Sequence, residues 1–158
     1  MTRFSAVFAL AAALGLGSAA AQAAGVEGVW LTEKGKVAVE LYPCGERMCG
    51  KIVWLEKPRW SEGTLKRDER NPDPALRERP WCGIEVISGL RPDGRDWEDG
   101  SFYYPKEGKT FDLEMRQNGD DTLKVRAYLG VKLLGKTEIW TRANGELPGC
   151  EPDDGSGL

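Results

Sequence analysis

From residue 36 onward the chain repeatedly alternates apolar and polar side chains with a period of two. No other feature restricts its fold as much. Val37, Val39 and Leu41 alternate with Lys36, Ala38 and Glu40, and Phe111, Leu113 and Met115 alternate with Thr110, Asp112, Glu114 and Arg116. Leu123, Val125 and Ala127 alternate with Thr122, Lys124 and Arg126, and Ile139 and Thr141 with Glu138, Trp140 and Arg142. Each run carries one largely apolar and one polar face, as a half-buried antiparallel strand requires. Turn residues punctuate the runs at Lys34-Gly35, Asp93-Gly94, Asp99-Gly100, Glu107-Gly108 and Asn118-Gly119, the spacing of hairpins in a meander. The pattern predicts strands near 27–33, 36–43, 47–56, 82–88, 98–104, 109–117, 121–129 and 136–142. No comparable stretch has a helical period. Closing such a meander removes its exposed edges, so the expected fold is all-β: an antiparallel up-and-down barrel of about eight strands. A two-sheet sandwich is the alternative.

One segment, Lys57 to Pro80, breaks the rhythm. Pro58, Pro72, Pro74 and Pro80 exclude a central strand, which leaves a long loop packed over one end of the barrel or acting as a lid. Asp73 is placed to cap a short helix with Pro74 at its first position. Asp68, Asn71 and Asp73 lack the spacing and the bidentate Glu of a calcium loop, so turn and capping roles are expected of them.

The N-terminus has the order of an export signal. Arg3 precedes an uncharged, Ala- and Leu-rich run from Phe4 to Gly17, and Ala21-Gln22-Ala23 offers an exit for signal peptidase. The expected division is a signal peptide at 1–23 cleaved near Ala23, a barrel domain at 24–145, and a polar tail at 146–158 that is disordered after Cys150. Without Arg3 the balance is 21 basic against 25 acidic side chains, or −4. Such a protein gains no general attraction to nucleic acid or anionic lipid. Nothing after the signal is apolar enough for a transmembrane segment. Cys44, Cys49, Cys82 and Cys150 all lie in the exported part, and an even count in an oxidising compartment reads first as disulfides. Three pairings exist. Cys44–Cys49 is favoured because the two flank a short turn, with Cys82–Cys150 pinning the tail as the less constrained bond.

The chain contains no His. That removes Ser-His-Asp and Cys-His nucleophile systems and His-ligated zinc. There is no P-loop or dinucleotide fingerprint, so neither a cofactor nor a metal is implied. A carboxylate pair drawn from Glu40, Glu85, Glu114 and Glu138 would be needed for a His-free hydrolase, and solvent-face charge is the plainer account of these residues. Aromatic residues are the better lead, because in a small barrel they either fill the core or line one ligand cavity. Trp54, Phe102, Tyr104, Phe111 and Met115 are the ligand-binding candidates. Trp60, Trp81 and Trp97 lie in or beside loops.

Gly28-Val29-Trp30 opens the first strand and Trp140-Thr141-Arg142 closes the last. This pair resembles the signature of the calycin superfamily, which includes lipocalins and fatty-acid-binding proteins. The resemblance implies that Trp30 packs against Arg142 to close one barrel end, a cation–π contact, with Gly28 beside them. Further blocks are similar to a bacterial exported family, the domain of unknown function numbered 2147. They are Tyr42-Pro43-Cys44-Gly45, Cys49-Gly50-Lys51-Ile52-Val53-Trp54-Leu55, Asn71-Pro72-Asp73-Pro74, Arg79-Pro80-Trp81-Cys82-Gly83 and Ser88-Gly89-Leu90. That resemblance implies a lipocalin-like barrel in the periplasm or outside the cell, and it carries no catalytic residue. The expected function is non-enzymatic binding of a small apolar or amphipathic ligand. The alternatives are an interaction module reaching an envelope partner through the 57–80 loop, and the carboxylate hydrolase.

Overall fold

In the computed structural model, which describes residues 25–150, eight antiparallel strands close into one barrel. They are β1 (Gly28–Leu31), β2 (Val37–Cys44), β3 (Arg47–Leu55), β4 (Glu85–Asp93), β5 (Asp96–Tyr104), β6 (Lys109–Gln117), β7 (Thr122–Tyr128) and β8 (Lys136–Arg142). Pairing of Trp30 with Arg142 and of Leu31 with Thr141 joins the last strand to the first, which rules out the sandwich. The expected signal peptide and the tail beyond Cys150 lie outside the described residues. Among the described residues no helix is long and apolar enough to cross a membrane.

The alternation places Trp30, Leu41, Ile87, Leu90, Leu113, Met115 and Leu123 in the interior, each almost fully buried. Each such side chain contributes about 1.5–3 kcal/mol of hydrophobic stabilisation. Gly50 and Gly100 make room for them. A Cβ on Gly50 would stand 2.9 Å from Leu41 Cδ2, and one on Gly100 would stand 2.6 Å from Leu90 Cδ2. Glu40, Lys51, Glu114, Arg116, Lys124 and Arg126 occupy the opposite, outer face of their strands.

Register shifts interrupt strict alternation in the β2–β3, β3–β4 and β5–β6 pairings, twice in β3–β4. On β3, Ile52 pairs with Val39 but Trp54 pairs with Ala38, so Val53 is an extra residue. It shifts Trp54 onto the outer face, whereas uninterrupted alternation would leave it on the same face as Ile52. On β5, Trp97 pairs with Met115 and Gly100 with Leu113, so Glu98 and Asp99 together oppose one residue. Asp99 adopts φ 58° there. Asp99-Gly100 is therefore a bulge inside a strand, where the sequence suggested a turn. β4 likewise runs on to Asp93, past Gly89 and Pro92, to the hairpin at Asp93-Gly94.

Both disulfides are closed, Cys44–Cys49 and Cys82–Cys150. They fit a protein of an oxidising compartment.

Candidate functional site

The two barrel ends differ. At one end Trp30 is completely buried and donates its indole N–H to the Val26 carbonyl at 2.7 Å. The Arg142 guanidinium lies 4.2 Å from the Trp30 ring centroid. It also donates to the carbonyls of Glu27, Gly25 and Asp120 at 2.9, 3.2 and 2.9 Å. Gly28 has φ 112°, and a Cβ there would stand 3.1 Å from Arg142 Nη1. One cation thus covers an aromatic face and ties together the segment entering β1 and the β6–β7 turn. This end is shut.

The β1–β2, β3–β4, β5–β6 and β7–β8 connections meet at the other end, the mouth. The long β3–β4 loop is pinned there by a charged network that the sequence did not reveal. Asp68 is fully buried. Its carboxylate accepts from Arg79 Nε and Nη2 at 2.9 and 2.8 Å, from Asn71 Nδ2 at 2.7 Å, and from the Tyr103 hydroxyl at 2.5 Å. Such saturation is what a buried carboxylate needs to remain tolerable. Asn71 Oδ1 accepts from the Asp73 amide and Asp73 caps a 3-10 helix, Pro74–Leu76. The oxygen-bearing trio therefore serves loop structure. Nearby, Trp60 and Trp81 meet edge to face at 5.6 Å with the Lys66 ammonium 5.1 and 5.7 Å from their rings.

The same contacts give a pH prediction. Burial first, then the bond to Asp68, pushes the Tyr103 phenol up to about 12, and the bond to Glu85 does the same for Tyr42. A phenol whose folded pKa exceeds its ordinary value of about 10 adds stability that is whole below pH 10 and lost as pH climbs through 12. Ultraviolet titration should find two of the four tyrosines ionising late, with urea stability falling over the same window. Ionisation of all four near pH 10 would contradict these contacts.

Inside the mouth, three of the five ligand-binding candidates converge. Phe102 pairs directly with Phe111 across β5 and β6, and the Phe102 and Tyr104 rings stack at 6.2 Å and 26°. All three are half-buried. Met115, on the same interior face, lies deeper toward the shut end and is 2% exposed. It belongs to the core. Trp54 is on the outer wall.

Two residues not put forward as ligand contacts complete this surface. The interior face of β8 reads Lys136, Glu138, Trp140, Arg142 from mouth to floor, since Glu138 pairs with Val125 and Trp140 with Leu123. Glu138 accepts from Lys136 Nζ at 2.8 Å and from the Trp140 indole at 3.2 Å. That bond and the Glu138 charge hold the Lys136 ammonium above its usual range, with Glu33 and Tyr104 adding to the effect. Ile139 faces outward and is exposed. The clue was local: Glu138 shares its period-two phase with Trp140 and Arg142.

The other strand glutamates are engaged on the outer wall, Glu40 by Lys51, Glu85 by Tyr42 and Glu114 by Lys132. Among the described residues no cluster of three or more His, Cys, Asp or Glu could hold a metal. Two surface clefts, of about 280 and 490 Å³, lie on the wall, one across β5–β7 and one under the segment after β8.

An eight-stranded closed barrel, shut at one end by a Trp–Arg pair, defines a lipocalin-like protein. The solved protein HP1028 of Helicobacter pylori, described as belonging to the lipocalin family, is similar at 25% identity and a TM-score of 0.66, over 76% of this chain and 84% of that one. Residues 28–142 match the family described as an uncharacterized protein conserved in bacteria, DUF2147. The chain belongs to that family. No curated protein matches it.

Proposed function

We propose that the protein binds a small amphipathic molecule at the barrel mouth, without catalysing a reaction. One observation carries this: half-buried Phe102, Tyr104 and Phe111 share the interior face at the mouth with the ion pair Lys136–Glu138. Such a surface suits a ligand with an apolar body and one polar or charged end. Because the interior below is filled by Leu113, Met115 and Leu123, the ligand sits shallowly, and a long chain threaded to the floor does not fit. The mature protein, after loss of residues 1–23, then works in the periplasm or outside the cell.

Native mass spectrometry of protein isolated from its own envelope should reveal a retained small molecule. Anilinonaphthalene sulfonate should bind saturably and be displaced by that molecule. Phe111→Ala should weaken probe binding about tenfold, the loss of one well-buried apolar contact. Lys136→Ala should act on anionic ligands in preference to neutral ones. Absence of both a retained molecule and saturable probe binding would end the proposal.

A further inference from the structure

The β7–β8 connection carries an apolar surface that neither the core nor the ligand site uses. Leu129, Val131, Leu133 and Leu134 are 61, 52, 89 and 83% exposed, whereas the other exposed large hydrophobics among the described residues, Leu76 and Ile139, reach only 38 and 39%. The loop is held in this shape. Arg126 donates through Nε and Nη2 to the Lys132 carbonyl at 3.0 and 2.6 Å, and the Gly130 amide donates to Asp112 Oδ2 at 3.0 Å. Lys132 Nζ pairs with Glu114 at 2.7 Å. A 3-10 turn at Lys132–Leu134 completes it. Polar anchors thus point to the barrel wall and aliphatic side chains to solvent, the reverse of an ordinary surface loop.

The loop sits at the mouth end, and charge is divided between the ends. The four mouth connections, residues 32–36, 56–84, 105–108 and 129–135, hold eleven basic and eight acidic side chains. The shut-end segments, residues 25–27, 45–46, 94–95 and 118–121, hold one basic and four acidic. A protein that is net acidic therefore turns a basic, apolar-tipped end outward. A stable protein interface needs roughly 800 Å² from each partner, more than a six-residue tip provides. A bilayer interface accepts a small apolar tip and rewards nearby basic charge when anionic lipid is present.

We propose that the β7–β8 loop is a membrane-docking tip, inserting Leu129, Val131, Leu133 and Leu134 into an anionic bilayer surface so that the barrel mouth faces the lipid. This docking is independent of ligand capture and is measured without a ligand. The disulfide-bonded mature protein should co-sediment with vesicles of phosphatidylethanolamine and phosphatidylglycerol, less so in high salt. Leu133→Ser with Leu134→Ser should cut the bound fraction at least tenfold with no fall in thermal midpoint, since both side chains are already in water. Wild-type protein that stays in the supernatant, or a double variant that binds equally well, would overturn the proposal. A concentration-dependent dimer that the double variant abolishes, with no vesicle binding, would instead assign the loop to a second copy of the chain. A docking failure leaves the retained-molecule measurement untouched, so the two proposals fail separately.

Discussion

Replacing Trp30 with alanine is expected to destabilise the barrel by about 3–5 kcal/mol, the range for removing a large aromatic side chain from a core. Trp30 has no solvent exposure, pairs with Val39 on β2 and with Arg142 on β8, and satisfies the Val26 carbonyl. The substitution therefore opens a cavity where the first and last strands meet, and takes from Arg142 the ring it covers. Total stability of a domain this size is about 5–15 kcal/mol, so the variant should sit near its folding limit. Its thermal midpoint should drop by roughly 10–20 °C. Trp30→Phe separates the contributions: it keeps a ring under Arg142 and loses the indole hydrogen bond, a cost of about 1–2 kcal/mol. Urea titrations of both variants provide the check. A Trp30→Ala protein within 1 kcal/mol of wild type would mean that the shut end is not what holds the barrel closed.

The second large effect concerns the disulfides, and here the two bonds differ. Cys82–Cys150 spans 68 residues and Cys44–Cys49 only 5. Chain entropy alone makes the long bond worth about 4 kcal/mol and the short one about 2. The double substitution Cys82→Ser with Cys150→Ser should therefore lower urea stability about twice as much as Cys44→Ser with Cys49→Ser. The far-UV spectrum should remain that of a barrel in both, because neither bond joins β1 to β8. Residues 143–149, which roof the cleft beside Val29 and Val53, should become sensitive to protease only in the first variant. Equal losses would show that native-state strain or residual structure in the unfolded chain, and not loop length, sets the contribution.

Much of the barrel was legible in the sequence. Period-two runs such as Phe111–Leu113–Met115 depend only on local geometry, and each observed strand overlaps its expected span. The Gly28–Trp30 and Arg142 motifs stand at the two strands that must meet for closure. The candidate site was legible in part. Phe102, Tyr104 and Phe111 came together because they share one phase on one hairpin. Trp54 was lost because a single bulge at Val53 reverses the phase, and a bulge is a property of how two strands register. Met115 kept its phase but not its accessibility, since depth along a barrel depends on which end each connection occupies.

The remaining features were tertiary decisions. The sequence offered Asp68, with Asn71 and Asp73, as an oxygen-bearing trio for turn and capping roles. The burial of Asp68 depends on Arg79, eleven residues away, and on Tyr103, thirty-five away, and only the folded loop brings them together. Glu138 and Lys136 read as a polar strand face until Trp140 and Arg142 fixed that face as the interior. By itself the sequence determined the strand periodicity and most of the turns, because each follows from neighbouring residues and steric rules, while the means of closing the barrel came from the resemblance to calycins. The folded structure decided which side chains reach the mouth and which charge is buried, because both depend on register and on contacts between residues far apart in the chain.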